Sequence, residues 1–233
     1  MPGAVTPSKT SKRKICVYCG SSPGSKPEHM AAAAQLAVVM AANDIGLVYG
    51  GGTVGLMGEI ARTLVSLSGP DAVHGIIPAP LVKYERDPTY TSTVSHPANG
   101  DKPLAIPEES IFGRTTVVPD MHTRKKMMAQ EVQAGGPGSG FIALPGGFGT
   151  MEELLEICTW NQLGIQRSGI CVLNVNGFYD GLINWIGKSI DEGFIRPGNA
   201  EILVSASTPE EAVKALADYK TPDSVLKLSW GNE

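Results

Sequence analysis

The sequence predicts an α/β protein: a doubly wound, mainly parallel sheet with helices on both faces. Three observations predict it. Short apolar runs alternate with longer helix-forming stretches through nearly all of the 233 residues, the pattern of right-handed βαβ units. The runs are apolar without alternation, as strands buried on both faces require. Three strand ends carry clusters of small, flexible residues, Gly20-Ser21-Ser22, Gly50-Gly51-Gly52-Thr53-Val54-Gly55 and Pro145-Gly146-Gly147-Phe148-Gly149-Thr150.

The elements follow in order. MPGAVTPSKTSKRK has no apolar signal core, so residues 1–12 read as a disordered lead, with the basic Lys12-Arg13-Lys14 solvating the start of the first strand. That strand is Lys14–Cys19, followed by a helix over Pro27–Asn43, a strand over Gly46–Tyr49, a helix over Gly55–Ser68 and a strand over Ala72–Ile77. Residues 84–113 break the rhythm, being polar, proline-rich and without a clear period. A loop of that length inside a compact domain is functional or mobile. The pattern resumes with strand Thr115–Val118 and helix Met121–Ala134, and then GGPGSG at 135–140 reads as a flexible insertion. Strand Gly140–Leu144, helix Met151–Leu163, strand Gly169–Asn174 and helices Tyr179–Glu192 and Pro209–Tyr219 complete it. No repeat or linker divides the chain, so one domain is expected over 13–220, with a tail over 221–233 that has little core pattern.

Composition excludes several function classes. A net charge of −4 and a pI near 5.6 argue against an electrostatic nucleic-acid binder. No apolar run approaches the roughly 20 residues of a membrane helix, which leaves a soluble cytoplasmic protein as the default. Four cysteines do not make a disulfide scaffold in a chain this long. Cys16 and Cys19 form a C-x-x-C, but the run KICVYCG is strand-like, and residues three apart on a strand point to opposite faces. Structural cysteines and no metal site are the expectation.

Two nucleotide motifs fail on context. Gly50, Gly52 and Gly55 match G-x-G-x-x-G, but they follow the second strand, and the third strand ends Gly75-Ile76-Ile77-Pro78 without the acidic residue that would hold a ribose. Gly187-Lys188-Ser189 lacks the glycine five places earlier, where Leu182 stands, and lies in a helical stretch. Neither NAD binding nor ATP hydrolysis is supported, and no cofactor is expected.

What remains is an anion site. In an open parallel sheet, ligands sit beyond the carboxyl ends of the strands, and glycines followed by a helix N-terminus let a phosphate approach free amides. Thr150-Met151-Glu152-Glu153 has a plainer explanation as a capping box, with Thr150 capping the helix and Glu153 reaching back. That accounts for T-x-x-E but not for three glycines, when a βα turn needs one or two. A second constellation is Pro119-Asp120-Met121-His122-Thr123-Arg124-Lys125-Lys126, which places cations in the first turn of a helix, against the local dipole preference. They fit if an anion is shared there, or if they pair with nearby glutamates.

The motif PGGFGTMEE at 145–153 resembles the PGGxGTxxE signature of the LOG ("lonely guy") family, cytokinin riboside 5′-monophosphate phosphoribohydrolases once described as lysine decarboxylases. Further matches run from CVYCGSS at 16–22 through YGGG at 49–52, GLMG at 55–58, MHxRK at 121–125 and WxQLG at 160–164 to DEGF at 191–194. The resemblance implies a Rossmann-like fold, dimers or larger homo-oligomers with active sites at the subunit interface, and hydrolysis of the N-glycosidic bond of cytokinin riboside 5′-monophosphates and AMP. Free base and ribose 5-phosphate would be the products. It implies catalytic roles for Arg124 and Glu153. Nucleotide-binding positions carried over are Glu85, Arg124, Lys125 and the Gly146–Glu152 loop, with Gly146, Gly147, Gly149 and Thr150 on the 5′-phosphate, Phe148, Met151 and Glu152 beside them, and Ser21, Gly52 and Thr53 closing the cradle. On this view Glu153 stabilises the oxocarbenium-like ribose and orients or deprotonates water. A pyridoxal-dependent decarboxylase would need a Schiff-base lysine, for which Lys125 is the candidate but carries no mark of a lowered pKa. The remaining alternative is a nucleotide-binding or carrier module without turnover.

Overall fold

The structure, a computed structural model, describes residues 11–86, 92–95, 104–226 and 228. In chain order the elements are β1 (Lys14–Tyr18), α1 (Pro27–Ala42), β2 (Gly46–Tyr49), α2 (Gly55–Ser68), β3 (Val73–Pro78), β4 (Ser92–Ser95), β5 (Leu104–Pro107), α3 (Glu109–Phe112), β6 (Arg114–Val118) and α4 (Met121–Gln133). They continue with β7 (Gly140–Ala143), α5 (Phe148–Gln162), β8 (Gly169–Leu173), α6 (Asp180–Asp191), β9 (Leu203–Ala206) and α7 (Pro209–Asp218). Seven strands form one sheet in the order β6-β3-β2-β1-β7-β8-β9, and every pairing in it is parallel.

The apolar strands are doubly covered, as their composition requires. On one face Ile15, Val17, Leu47 and Ile142 pack under α1, α2 and α7 through Leu36, Leu56, Ile60 and Leu216. On the other, Cys16, Val48, Phe141 and Ile170 pack under α4 and α5 through Met128, Val132, Leu154 and Ile157. Each such side chain stabilises by about 1.5–3 kcal/mol on full burial. Cys16 lies in the second core and Cys19 in the first, so the C-x-x-C sulfurs diverge across the sheet as strand geometry demands. Among the described residues no helix is long and apolar enough to cross a membrane.

Three expectations need correction. Residues 84–113 are not without structure: β4 and β5 pair antiparallel, Ser92 opposite Pro107, and α3 follows, while residues 87–91 and 96–103 lie outside the described residues. The alternation there is too short to read in tetrapeptides such as STVS and LAIP. GGPGSG is not a flexible insertion but a packed turn. Ser139 Oγ donates to the Gly136 carbonyl at 2.7 Å and accepts the Lys14 amide at 3.0 Å, while a Cβ on Gly135 would lie 2.3 Å from that same oxygen. The start of the tail is tied down, the Leu226 amide donating to the Gln162 carbonyl at 3.0 Å and the Thr221 hydroxyl to the Arg167 carbonyl at 3.0 Å. Residues 1–10 of the lead, and 227 and 229–233 of the tail, lie outside the described residues. The edge strand β9 had no sequence signal, because half-exposed LVSA lacks the continuous apolar run of its neighbours.

Candidate active site

The chain moves outward from β1 through β2, β3 and β6, then returns to β7 on the other side of β1. The loops after β1 and β7 therefore leave adjacent strands in opposite directions, which opens a crevice at the switch point. The three glycine-bearing loops converge there. Gly20 donates to the Pro145 carbonyl at 3.0 Å, and Leu56 donates to the Gly20 carbonyl at 3.1 Å. Gly55, at φ 57°, presses so closely on the first loop that a Cβ would lie 2.4 Å from the Ser21 carbonyl carbon and the Ser22 nitrogen.

The last loop differs from its capping-box reading. Helix α5 begins at Phe148, not Met151, because the Met151 amide already closes the first helical bond on the Gly147 carbonyl at 3.1 Å. Gly147 is the N-cap and offers no side-chain acceptor, so the first amides of α5 face the crevice without a cap. Thr150 is the third helical residue and is buried, its hydroxyl occupying the space where a Cβ on Gly146 would sit, 2.1 Å away. Beside Gly147 and Gly149 an added Cβ would meet nothing within 4 Å. Two glycines thus leave open space at an uncapped helix N-terminus, a geometry suited to a phosphate.

Glu153 does not cap either. It is 5% exposed and faces Arg124, which is 6% exposed, with Arg124 Nη2 donating to Glu153 Oε1 at 2.8 Å. Asp120 caps α4, accepting the Thr123 amide at 2.8 Å, and so fixes the turn that carries Arg124. Gly50 makes room for the guanidinium, since a Cβ there would lie 2.6 Å from Arg124 Nη2. Burial pushes the Glu153 carboxyl up to about 7, while Arg124 pulls it back. A group poised near neutrality suits proton transfer. Glu85 lines the same cleft of about 330 Å³, and burial raises its carboxyl against the pull of Arg124. Among the described residues neither Glu85 Oε2 nor Arg124 Nε has a partner, although both are buried.

The remaining site candidates divide. Ser21, Phe148 and Thr150 line the cleft with Glu85, Arg124 and Glu153, and Phe148 is 98% exposed at its rim. Gly146 and Gly147 line an adjoining chamber of about 430 Å³ that shares Gly20, Ser21 and Gly147 with it. Gly52 and Thr53 sit behind the wall: a Cβ on Gly52 would lie 2.7 Å from Met57 Cε and 3.3 Å from Glu85 Cβ, and the Thr53 amide donates to the Glu85 carbonyl at 2.8 Å. These two position Glu85. Met151 packs against the α4–α5 core, and Glu152 bonds Lys125. Sequence reasoning missed Cys19, Met57, Leu81 and Met121, which make the apolar part of the cleft. The available signal was position, since Met57 and Met121 stand in the first turns of helices that follow sheet strands.

A family model described as "possible lysine decarboxylase" matches residues 57–216. The chain is 42% identical over 224 residues to cytokinin riboside 5′-monophosphate phosphoribohydrolase LOG7 of Arabidopsis thaliana, covering 95% of this chain and 90% of that one. The chain belongs to the LOG family. It is also 54% identical over 218 residues to a bifunctional cytokinin biosynthesis protein of Fusarium pseudograminearum, covering 94% of this chain but only 42% of that protein's length. A similar fold occurs at low sequence identity. A structure of the molybdenum cofactor binding protein from Rippkaea orientalis aligns with a TM-score of 0.56 at 18% identity, covering 87% of this chain and 94% of that one.

Proposed function

We propose that the protein is a phosphoribohydrolase acting on adenine-type nucleoside 5′-monophosphates, cytokinin riboside 5′-monophosphates foremost. The observation that carries this is the buried Arg124–Glu153 pair at 2.8 Å, facing a cleft whose rim is the uncapped start of α5. A phosphate on the amides beyond Gly147 puts the ribose near Glu153, one turn further along α5. As the C1′–N9 bond breaks, its electron pair leaves with the base and positive charge develops on the ribose. The Glu153 carboxylate stabilises that charge and takes a proton from the water that adds to C1′. The base acquires its proton from solvent, so water is divided between the products. Arg124 holds Glu153 in place, and the apolar side of the cleft, Met57, Leu81, Met121 and Phe148, receives the base.

The decarboxylase description fits this site poorly. Burial works to lower the pKa of Lys125, but the bonds from Glu152 and Glu156 outweigh it and hold the ammonium above its ordinary range. A Schiff-base lysine needs the opposite shift.

Assembly belongs to the same reading. Helix α6 buries only Ser189, while Trp185 is 52% exposed and Phe194 just beyond is 86% exposed, beside a groove of about 350 Å³ lined by Leu155, Ile186, Ile195 and Leu203. Projecting aromatics and an apolar groove on one patch are what a two-fold homodimer makes self-complementary. The decisive experiment is incubation with AMP and with an isopentenyladenosine 5′-monophosphate. Release of free base and ribose 5-phosphate is expected; tight binding without base release would overturn the hydrolase in favour of a carrier.

A further inference from the structure

The chamber of about 430 Å³ beside the cleft has walls of a different kind. The cleft is lined by Glu85, Arg124 and Glu153. Among the described residues no Asp, Glu, Lys or Arg lines the chamber, and His29 is the single side chain there that can bear a positive charge. Three long helices begin at its wall: His29 stands in the first turn of α1, Leu56 in the first turn of α2, and Gly147 is the N-cap of α5. None of their N-caps, Lys26, Val54 and Gly147, makes a side-chain cap. The His29 and Leu56 amides are spent on the Lys26 and Gly20 carbonyls, but the positive ends of the three helix dipoles remain, with no carboxylate on the wall to offset them.

His29 is 8% exposed, and its Nδ1 is buried with no hydrogen-bond partner among the described residues. Packing alone fixes the ring. Phe178 meets it edge-on, with centroids 5.9 Å apart and planes at 77°. On the other side Gly24, at φ 72°, leaves the ring its space, since a Cβ there would lie 2.8 Å from His29 Cδ2. A buried polar group without a partner costs stability and calls for a cause. An apolar ring would fill the same slot without that cost, so the nitrogens are explained by something that enters the chamber.

We propose that the chamber receives the outer face of a phosphate monoester whose inner face lies on the α5 amides, and that His29 is the specificity residue which recognises it. This rests on the phosphate placement of the hydrolase reading, but the recognition needs no turnover. Neutral imidazole donates from one ring nitrogen and imidazolium from both, so the ring can meet an anionic oxygen in either state. A nucleoside ending in a 5′-hydroxyl leaves both the ring and the α5 amides without that partner. His29 thereby selects nucleoside 5′-monophosphates over nucleosides, from a helix that carries none of the signature motif.

The test follows the nitrogen NMR signals of the His29 ring in the full-length protein while ribose 5-phosphate, AMP and adenosine are added in turn. Both phosphorylated ligands should shift the ring signals and adenosine should not. His29→Phe keeps an aromatic ring against Phe178 and removes both nitrogens. It should weaken ribose 5-phosphate binding and raise KM for AMP by about ten- to hundredfold, with kcat nearly unchanged; His29→Gln, which restores a donor, should recover part of the loss. Ring signals that move with ribose 5-phosphate in a protein releasing no base would sink the hydrolase reading and leave this one standing. Ring signals unmoved while the Gly149 amide reports a bound phosphate would overturn the proposal, even if His29→Phe did not fold. Unchanged ribose 5-phosphate affinity in a folded His29→Phe would overturn it too, as would a fall in kcat at constant KM.

Discussion

Two segments of this protein carry the same spacing, Thr150-x-x-Glu153 and Thr208-x-x-Glu211, and they do unlike work. At α7 the spacing forms a complete capping box: Thr208 Oγ1 accepts the Glu211 amide at 3.2 Å, and Glu211 Oε2 accepts the Thr208 amide at 3.3 Å. At α5 neither bond exists, since the helix starts at Phe148, two residues before Thr150, behind an N-cap Gly147 that has no side chain to cap with. Pro209 at the first helical position fixes where α7 begins, whereas Gly147 and Gly149 leave the α5 entrance to the packing around it. The helix advanced by a turn turns Thr150 and Glu153 inward. A capping motif is therefore a statement about where the helix begins, and that can be settled elsewhere.

The contrast can be broken most sharply at the two glutamates. Glu153→Gln should lower base release by about 10²–10⁴-fold while circular dichroism shows a folded protein, and Glu211→Gln should leave turnover at the wild-type rate. Equal turnover in the two variants would remove the distinction. Next in size is Gly50→Ala, whose Cβ would fall 2.6 Å from the Arg124 guanidinium. It should cut kcat by about 10²-fold through misplacement of the Arg124–Glu153 pair, and a crystal structure with that pair unmoved would refute it. Gly147→Ala is milder, because φ −99° suits alanine and nothing stands within 4 Å of the added carbon. Thermal stability should hold while KM rises about tenfold, for the methyl enters the space proposed for the phosphate. Smallest is Thr208→Ala, expected to cost about 1 kcal/mol and lower Tm by about 2–4 °C with turnover untouched.

The two glycine clusters were legible as candidate loops of one site but not as two different devices. At 50–52 the missing side chains make room for protein: Arg124 beside Gly50, Ile77 beside Gly51, Met57 and Glu85 beside Gly52. At 147 and 149 they leave open space. Composition and spacing are alike in both, and only the neighbours differ. Cations in the first turn of α4 broke the dipole preference in the sequence, and their partners, Glu153 for Arg124 and Glu152 with Glu156 for Lys125, explain why. The sequence suggested glutamates as possible partners without saying which residue met which, since that depends on how α4 and α5 lie side by side under β1 and β7.

Apolar runs without alternation, the strand character of KICVYC and the order of strands and helices were enough to establish a parallel, doubly covered sheet, because these are local consequences of burial and period. Glycine density marked the three strand ends whose loops the structure brings together. The strand order, the one-turn earlier start of α5, the burial that lifts Glu153 toward neutrality and the empty space beside Gly147 were decided by tertiary structure alone. Each of them depends on which atoms occupy a given volume, and that is a property of the packed molecule rather than of any stretch of chain.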